Sequence, residues 1–558
     1  MTIRDCLNRA AEEHPERIAL RFKQLGHWKT TTYKTLRERA WHVSQMLAQL
    51  GVGAGDRVAL CLENAPEWFE IYYGIVALGA IAVPVDAKLR EQELAHIFHD
   101  AGVSIVFCAV NKLPVIDDIS TRTSSLKSAV VLRGGASPEI ERISCFAYKT
   151  LWETVSSAAM QPGRAFDCDG PSASSPASLI YTSGTTGRQK GAVLTHGNFL
   201  ANVSSIVQAI HVRSTDNFML ALPLHHAFAF TCNLLVPLYV CCEVSIVENL
   251  RSIKANMADC SPTVLLTVPL LLEKMLARVM DGVQENFAGR WMFRLGLAKV
   301  IGYKVSAGMG GALRLVVSGG APIRPVTLQT WTKLGIPVLE GYGITETAPV
   351  LCVNPPEAPR IGAVGPPLSG IEIRIHEPNA DGVGEIVVRG DNVMQGYYNH
   401  AEETAQVLID GWYYTGDLGR FDDAGYLVIK GRKKSLIVNR EGKNIYPEEV
   451  EQQAMQSRYV LECLVLGYCD SGDDPGERVG MIVVPDQQVF DELENAEGRC
   501  FSEAEIEKIV RDDVRAQMAH LSDYKRPRRI EVRFEEFEKT ATQKIKRYLY
   551  AVNTASEP

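Results

Sequence analysis

"SLIYTSGTTGRQKGAVLTHGNFLANVSSIVQAI", Ser178 to Ile210, is the stretch from which the rest of the chain can be ordered. It opens on a short apolar strand, SLIYT, breaks into a glycine-rich loop, and closes on HGNFLANVSSIVQAI, a run with helical spacing. Strand, loop and helix in that order build an α/β sheet. The run after Tyr181, through Gly191, holds three glycines, four hydroxyl side chains (Thr182, Ser183, Thr185, Thr186) and Lys190. Glycines such as Gly184 and Gly187 let backbone N–H groups approach oxyanions, while hydroxyls and an ammonium add donors and charge. The composition therefore suits phosphate. The spacing is not that of a Walker A loop, which needs Gly-Lys-Ser/Thr; here Gly187 is followed by Arg188, Gln189 and Lys190. On composition alone a flexible polar loop stays open beside the phosphate cradle.

The same alternation extends both ways. YKTLRERAWHVSQMLAQLG (Tyr33–Gly51) has helical spacing, and DRVALCLE (Asp56–Glu63) and VSIVFCA (Val103–Ala109) read as buried strands of a largely parallel sheet. Downstream, LRLVVSGG (Leu313–Gly320) is a strand ending in a Gly-Gly turn. VTLQTWTKLG (Val326–Gly335) follows as a helix, and IPVLEGYG (Ile336–Gly343) as the next strand and turn. From Arg360 short strands and turns, GIEIRIHEP and GVGEIVVRG, suggest a smaller antiparallel unit. The tail after KGRKKS reads as a separate α+β domain. Its clearest helix starts at Ser502 with Glu505 as a capping-box partner and places Ile506, Ile509, Val510 and Val514 on one face.

Bulk properties narrow the class. A chain of 558 residues is too long for one core. A net charge of −8 argues against a nucleic-acid binder working by bulk electrostatics. Thirteen cysteines without a CxxC pair fit neither a zinc site nor a disulfide framework, so reduced, buried cysteines of a cytoplasmic enzyme are expected. The charged N-terminus lacks the apolar core of a signal peptide. Phe218 to Cys242 carries no Asp, Glu, Lys or Arg and is long enough to span a bilayer. It also holds Pro223, His225, His226, Asn233 and Pro237, which are costly in lipid. A buried strand–loop–helix is expected there, with at most peripheral membrane contact.

Five further stretches carry candidate chemistry, four of them with a plainer reading beside it. SGGAP (Ser318–Pro322) lies at a strand end, where α/β sheets open a ligand crevice, and also reads as a turn. In EGYGITE (Glu340–Glu346), Tyr342 offers a face for stacking a base, and Glu346 is a hard oxygen ligand suited to Mg²⁺ that also holds phosphates. Asp417 in GWYYTGDLG suits ribose hydroxyls or a simple Asp turn. The basic run KGRKKSLIVNREGKNIYPEEVE (Lys430–Glu451) reads as a solvated or nuclear-localisation-like patch, yet Leu436-Ile437-Val438 puts it on a folded element. Lys544, in EKTATQKIKRYL, follows a Thr/Gln turn or belongs to a solubilising tail.

Taken in order, these motifs resemble the AMP-forming acyl-CoA synthetases of the adenylate-forming superfamily. The likeness runs from the N-terminal helix through ENAPEWFEIYYGIVALGAIAVPVDA (Glu63–Ala87) to Lys544. It implies a large N-terminal domain of α/β subdomains with a small β-barrel-like unit over 1–430, a hinge at 431–435, and a mobile α+β C-terminal domain over 436–558. It implies ATP, Mg²⁺ and coenzyme A as cofactors and a carboxylic acid as substrate. Thr182, Ser183, Gly184, Thr185, Thr186, Gly187 and Lys190 would hold the β,γ-phosphates. Gly320, Ala321 and Pro322 would line adenine, with Gly341, Tyr342 and Gly343 on its other side. Thr345 would meet the α-phosphate, Glu346 the Mg²⁺, and Asp417 with Arg432 the ribose. PLHHAFAF resembles the family's PLFH-x-F and puts His226 beside the substrate carboxylate, His225 being read as a packing residue. Lys544 matches the catalytic lysine, Lys434 the pivot of a domain rotation, and Gly442 part of the pantetheine tunnel. Two departures stand out: Gln189 replaces the loop's usual proline, and Gln543 the glycine before the lysine.

The resemblance is greatest to medium- and long-chain fatty acid–CoA ligases, the apolar run from Phe218 supplying an acyl-tunnel wall. Transfer to an acyl carrier protein, or an aryl or alicyclic acid, stays open.

Overall fold

The computed structural model describes residues 1–132, 142–157, 170–182, 188–285, 287–469, 476–539 and 545–550. Short runs rich in Val, Ile, Leu and Ala form the strands, and several are buried along their whole length, among them Ile81–Pro84, Ile105–Cys108, Val264–Thr267 and Leu315–Ser318. Continuous apolar strands of this kind belong in sheets covered on both faces.

The chain divides into two compact units. The first, Met1–Ile373 with Val388–Tyr413, contains two eight-stranded sheets. In one, Arg57–Cys61 lies between Ile81–Pro84 and Ile105–Cys108, all parallel. Ile81–Pro84 neighbours Pro176–Thr182, which pairs antiparallel with Lys190–Thr195, and Gly396–Tyr397 closes that edge. In the other, Asn217–Leu220, Val264–Thr267, Leu315–Ser318 and Val338–Gly343 run parallel side by side. Val350–Val353 turns back antiparallel along the last of them.

The Ser178–Ile210 stretch therefore holds one strand more than expected. Its glycine-rich loop joins two antiparallel strands in register from Pro176↔Thr195 to Thr182↔Lys190. The apolar GAVLT run, buried at Gly191, Ala192, Leu194 and Thr195, forms the second strand before the helix begins. That helix, His196–Ala209, is capped by Thr195, whose hydroxyl accepts from the Asn198 N–H while the Asn198 side chain accepts from the Thr195 N–H.

The charge-free stretch is strand, loop and helix. Asn217–Leu220 is followed by a loop and by Ala227–Val240, which includes a π-helical turn at Phe230–Leu235. Two of its polar side chains bond inside: Thr231 donates to the Ala348 carbonyl at 2.9 Å and Asn233 Nδ2 to the Met219 carbonyl at 3.4 Å. Among the described residues no helix is long and apolar enough to cross a membrane.

The second unit, Arg374–Val387 with Tyr414–Pro558, carries a three-stranded sheet of Val460–Tyr468, Arg478–Pro485 and Arg529–Val532. Helices Pro447–Ala454 and Glu503–Gln517 bury Val450, Ala454, Ile506, Val510 and Val514 in the core of this unit. The Ser502–Glu505 capping box is present as read from the sequence. The short-strand region after Arg360 is a five-stranded sheet in which Trp412–Phe421 pairs antiparallel with Leu427–Arg432. Among the twelve described cysteines all are free and only Cys500 is exposed.

Candidate active site

Parallel strands present a crevice at their C-terminal ends, and in the first unit two of the motifs stand there as neighbours. Ser318 pairs with Glu340, so the GGAP turn and the GYG segment leave adjacent strands. Gly320 has φ +83°, the left-handed region that favours glycine, and Gly320, Ala321 and Pro322 are all exposed. Behind them the Phe228 ring lies so close to Gly319 that a Cβ there would sit 3.3 Å from it. Gly341, Tyr342 and Gly343 are half-buried. A Cβ at Gly343 would meet the Pro349 carbonyl oxygen at 2.2 Å, so close backbone approach requires glycine. Glu340 is pushed up to about 7 by burial, opposed by a Gly362 N–H, and its Oε2 has no hydrogen-bond partner among the described residues.

Thr345 and Glu346 sit on a three-residue 3-10 turn, Thr345–Thr347. The Met394 N–H donates to the Glu346 carbonyl at 2.8 Å, and Asn392 Nδ2 to the Thr347 carbonyl at 2.7 Å. Tyr397 Oη donates to Glu346 Oε1 at 2.8 Å. The same Tyr397 ring has the Lys190 ammonium 5.4 Å from its centroid, a cation–π arrangement. Tyr397 thus draws together the lysine at the base of the glycine loop and the carboxylate of the TE motif. Lys190 also lies 3.8 Å from Glu403, whose Oε1 is 3.1 Å from His400 Nδ1. His400 Nε2 is in turn 3.1 Å from Asp100 Oδ1. Sequence reasoning missed Tyr397: MQGYYNH gives a tyrosine that reads as packing, and only the pairing of Gly396 with Val193 brings it to the loop.

His226 stands just before the helix starting at Ala227, and its ring lies 4.0 Å from that of His225. His225 lies 3.7 Å from Asp86, yet burial, with Lys88 nearby, holds it down to about 4, so it is neutral at pH 7. Asn64 fixes the preceding loop by donating to the Leu222 carbonyl and accepting from the Leu224 N–H.

In the second unit Asp417 is buried opposite Arg432, whose Nε is 2.8 Å from Asp417 Oδ1. Lys434 is exposed on the turn Lys433–Ser435, and Lys433 pairs with Glu385 at 2.6 Å. Gly442 has φ +72° in the turn between Ile437–Val438 and Asn444–Ile445. Burial raises the Glu448 carboxyl, with Arg547 and Arg432 pulling the other way. Ser183, Gly184, Thr185, Thr186, Gly187 and Lys544 lie outside the described residues; Thr182 and Lys190 face each other across the loop's base.

No group of three metal-ligating side chains occurs among the described residues. A lone carboxylate, Glu346, oriented by a phenol, fits the way Mg²⁺ is bound when substrate phosphates complete its shell.

The model of the AMP-binding enzyme family matches residues 7–398, spanning both eight-stranded sheets and the Tyr342, Glu346, Tyr397 and Lys190 positions. The chain belongs to that family. A second model, the AMP-binding enzyme C-terminal domain, matches residues 449–544 of this AMP-binding enzyme. It is similar to a long-chain-fatty-acid–CoA ligase of Salmonella typhimurium, 30% identical over 92% of this chain and 89% of that protein. It is also similar to a chloroplastic long-chain-fatty-acid–[acyl-carrier-protein] ligase of Arabidopsis thaliana, 26% identical over 87% of this chain and 76% of that one. Among solved structures, ATP-bound MatB from Rhodopseudomonas palustris shares the fold at a TM-score of 0.78, with 26% identity, over 99% of this chain and 98% of its own.

Proposed function

We propose that this AMP-binding enzyme activates a medium- or long-chain fatty acid with ATP to an acyl-adenylate and transfers the acyl group to coenzyme A. The observation that carries the reading is Tyr397, which gathers Lys190 and Glu346 at the mouth of the glycine loop. A carboxylate oxygen attacks the α-phosphorus, the bond to the bridging α–β oxygen breaks, and pyrophosphate leaves. Two anions approach each other only where charge is neutralised as it develops. Lys190 and the loop from Thr182 to Gly187 attend the departing pyrophosphate. Glu346 would hold Mg²⁺, which when bound draws charge from the phosphate oxygens. Thr345 lies beside Glu346 for the α-phosphate. Tyr342 and the Gly320–Pro322 turn suit the base, Asp417 and Arg432 the ribose, and Lys544 the reacting oxygens.

His226 is the carboxylate-side residue, and the buried, charge-free stretch around it suits an acyl chain rather than a charged acid. In the second step the coenzyme A sulfur attacks the acyl carbonyl and AMP leaves with the C–O bond electrons, the thiol proton passing to solvent. Lys434 is the pivot by which the C-terminal domain, residues 436–558 beyond the hinge at 431–435, exchanges Lys544 for the Gly442 turn between steps.

Pyrophosphate release and thioester formation measured over acids from acetate to palmitate, with benzoate included, test the reading. Palmitate or a medium-chain acid should be preferred and coenzyme A should accept the acyl group. Acyl-AMP that accumulates with coenzyme A but discharges onto an acyl carrier protein would favour the carrier-protein reaction of the Arabidopsis thaliana relative. Preference for benzoate would overturn the fatty-acid assignment.

A further inference from the structure

Lys190 stands between two carboxylates. On one side its ammonium lies over the Tyr397 ring, whose hydroxyl donates to Glu346. On the other it is 3.8 Å from Glu403 Oε1, a loose ion pair between side chains that are 21% and 35% exposed. At that separation the ammonium can move to a phosphate oxygen without first breaking a tight charge-assisted bond.

Glu403, by contrast, is tied back. His400 Nδ1 is 3.1 Å from the same Oε1, and His400 Nε2 is 3.1 Å from Asp100 Oδ1. Asp100 is itself fixed on the helix Glu91–Ala101: Tyr181 Oη donates to its Oδ2 at 2.6 Å, and Asn399 Nδ2 donates to its carbonyl at 3.1 Å. One turn earlier on that helix His96 Nε2 lies 2.8 Å from the carbonyl of Gln189, the residue before the lysine. The short helix Ala401–Val407 that carries Glu403 is fastened as well. Its Thr404 Oγ1 donates to the His400 carbonyl at 2.7 Å and accepts from the Tyr397 N–H at 2.9 Å. The Glu403 carboxyl is held below its usual range by its own backbone N–H first, and then by His400 and Lys190, so it carries its charge at neutral pH.

A fixed carboxylate facing a flexible lysine competes with any anion that the lysine is to bind. A contact between Lys190 and the departing phosphates helps the bond break, but it also holds the product. A counter-charge waiting 3.8 Å away offsets part of the cost of giving that contact up. We infer that Glu403, anchored through His400 to Asp100, is a positioning residue that takes Lys190 back from the phosphates and so speeds the release of pyrophosphate. Glu403 has this role only if Lys190 attends the departing pyrophosphate, as proposed.

The test is the affinity of the full chain for pyrophosphate, as an inhibitor of adenylation, and for ATP, by calorimetry. Glu403→Gln keeps an acceptor for His400 and for the backbone N–H and removes the charge. It should tighten both ligands by roughly two- to fivefold, the worth of a partly exposed ion pair, and slow pyrophosphate dissociation in proportion. Damage to the fold would do the reverse and weaken both. Lys190→Ala should weaken both about tenfold, and adding Glu403→Gln to it should change nothing further. Affinities that fall or stay constant in Glu403→Gln, while Lys190→Ala weakens them, would overturn the role of Glu403 alone. Pyrophosphate affinity unmoved by Lys190→Ala would remove Lys190 from the leaving group, and the role of Glu403 with it. A tightening by Glu403→Gln that persists beside Lys190→Ala would mean that Glu403 repels the phosphates directly, which would equally overturn its action through the lysine.

Discussion

Thr345–Thr347 and Lys433–Ser435 have the same local form, three residues of 3-10 helix after a strand, each carrying a charged motif side chain. Their surroundings differ. The first is bound by the Met394 N–H, by Asn392 and by Tyr397, and Thr347 is buried. The second is closed by the Leu436 N–H on the Lys433 carbonyl at 3.3 Å, and Lys433 and Lys434 are both exposed. A carboxylate that must meet phosphate and metal in fixed geometry needs the first kind of turn. The pivot proposed at Lys434 suits the second, where the Lys433–Glu385 pair is a side-chain contact that a flexible lysine can keep while backbone dihedrals change.

The largest effect should come from Glu346→Gln, which keeps an acceptor for Tyr397 and removes the charge. Acid-dependent pyrophosphate release should fall about 10²–10³-fold with the fold intact; a loss under tenfold would remove Glu346 from the metal site. Tyr397→Phe should cost roughly tenfold in the same assay, the worth of one hydrogen bond to a charged group. No change there would show that the turn orients Glu346 without the phenol. Lys434→Pro, which fixes φ, should leave pyrophosphate release within about twofold while lowering thioester formation about tenfold. Equal losses in both steps would mean that the two turns do not differ as their surroundings suggest.

The smallest effect concerns Glu340. Its carboxyl is raised from 4.5 to about 7, so the folded state holds the proton more tightly than the unfolded chain. Its contribution to stability is full below pH 4.5 and is lost as pH rises toward 7. His196 and His225 act oppositely: both are lowered from 6.5 to about 4 by burial, so their contribution is lost as pH falls through that window. Glu340→Gln should flatten the alkaline side of the thermal-midpoint profile relative to wild type and leave the acid side unchanged.

Much of the fold was legible because its signals are local. Tyr33–Gln49, Leu315–Ser318, Val338–Gly343 and the Ser502–Glu505 cap all fall where periodicity, glycine and capping residues put them. The strand Lys190–Thr195 was not legible, since a five-residue apolar run before a helix cap does not reveal an antiparallel partner across a loop. The site divides the same way. Ser318–Pro322 and Glu340–Glu346 announce themselves by glycines at strand ends. Tyr397 does not, because its place beside Glu346, 51 positions away, is set by a tertiary hydrogen bond.

ATP–pyrophosphate exchange in the absence of coenzyme A, measured with and without a long-chain fatty acid, tests the adenylation site most directly. Exchange that requires the acid, proceeds without coenzyme A and disappears in Glu346→Gln is the expected result. Exchange that needs coenzyme A, or that survives Glu346→Gln, would contradict an acyl-adenylate formed at the Tyr397–Glu346–Lys190 site.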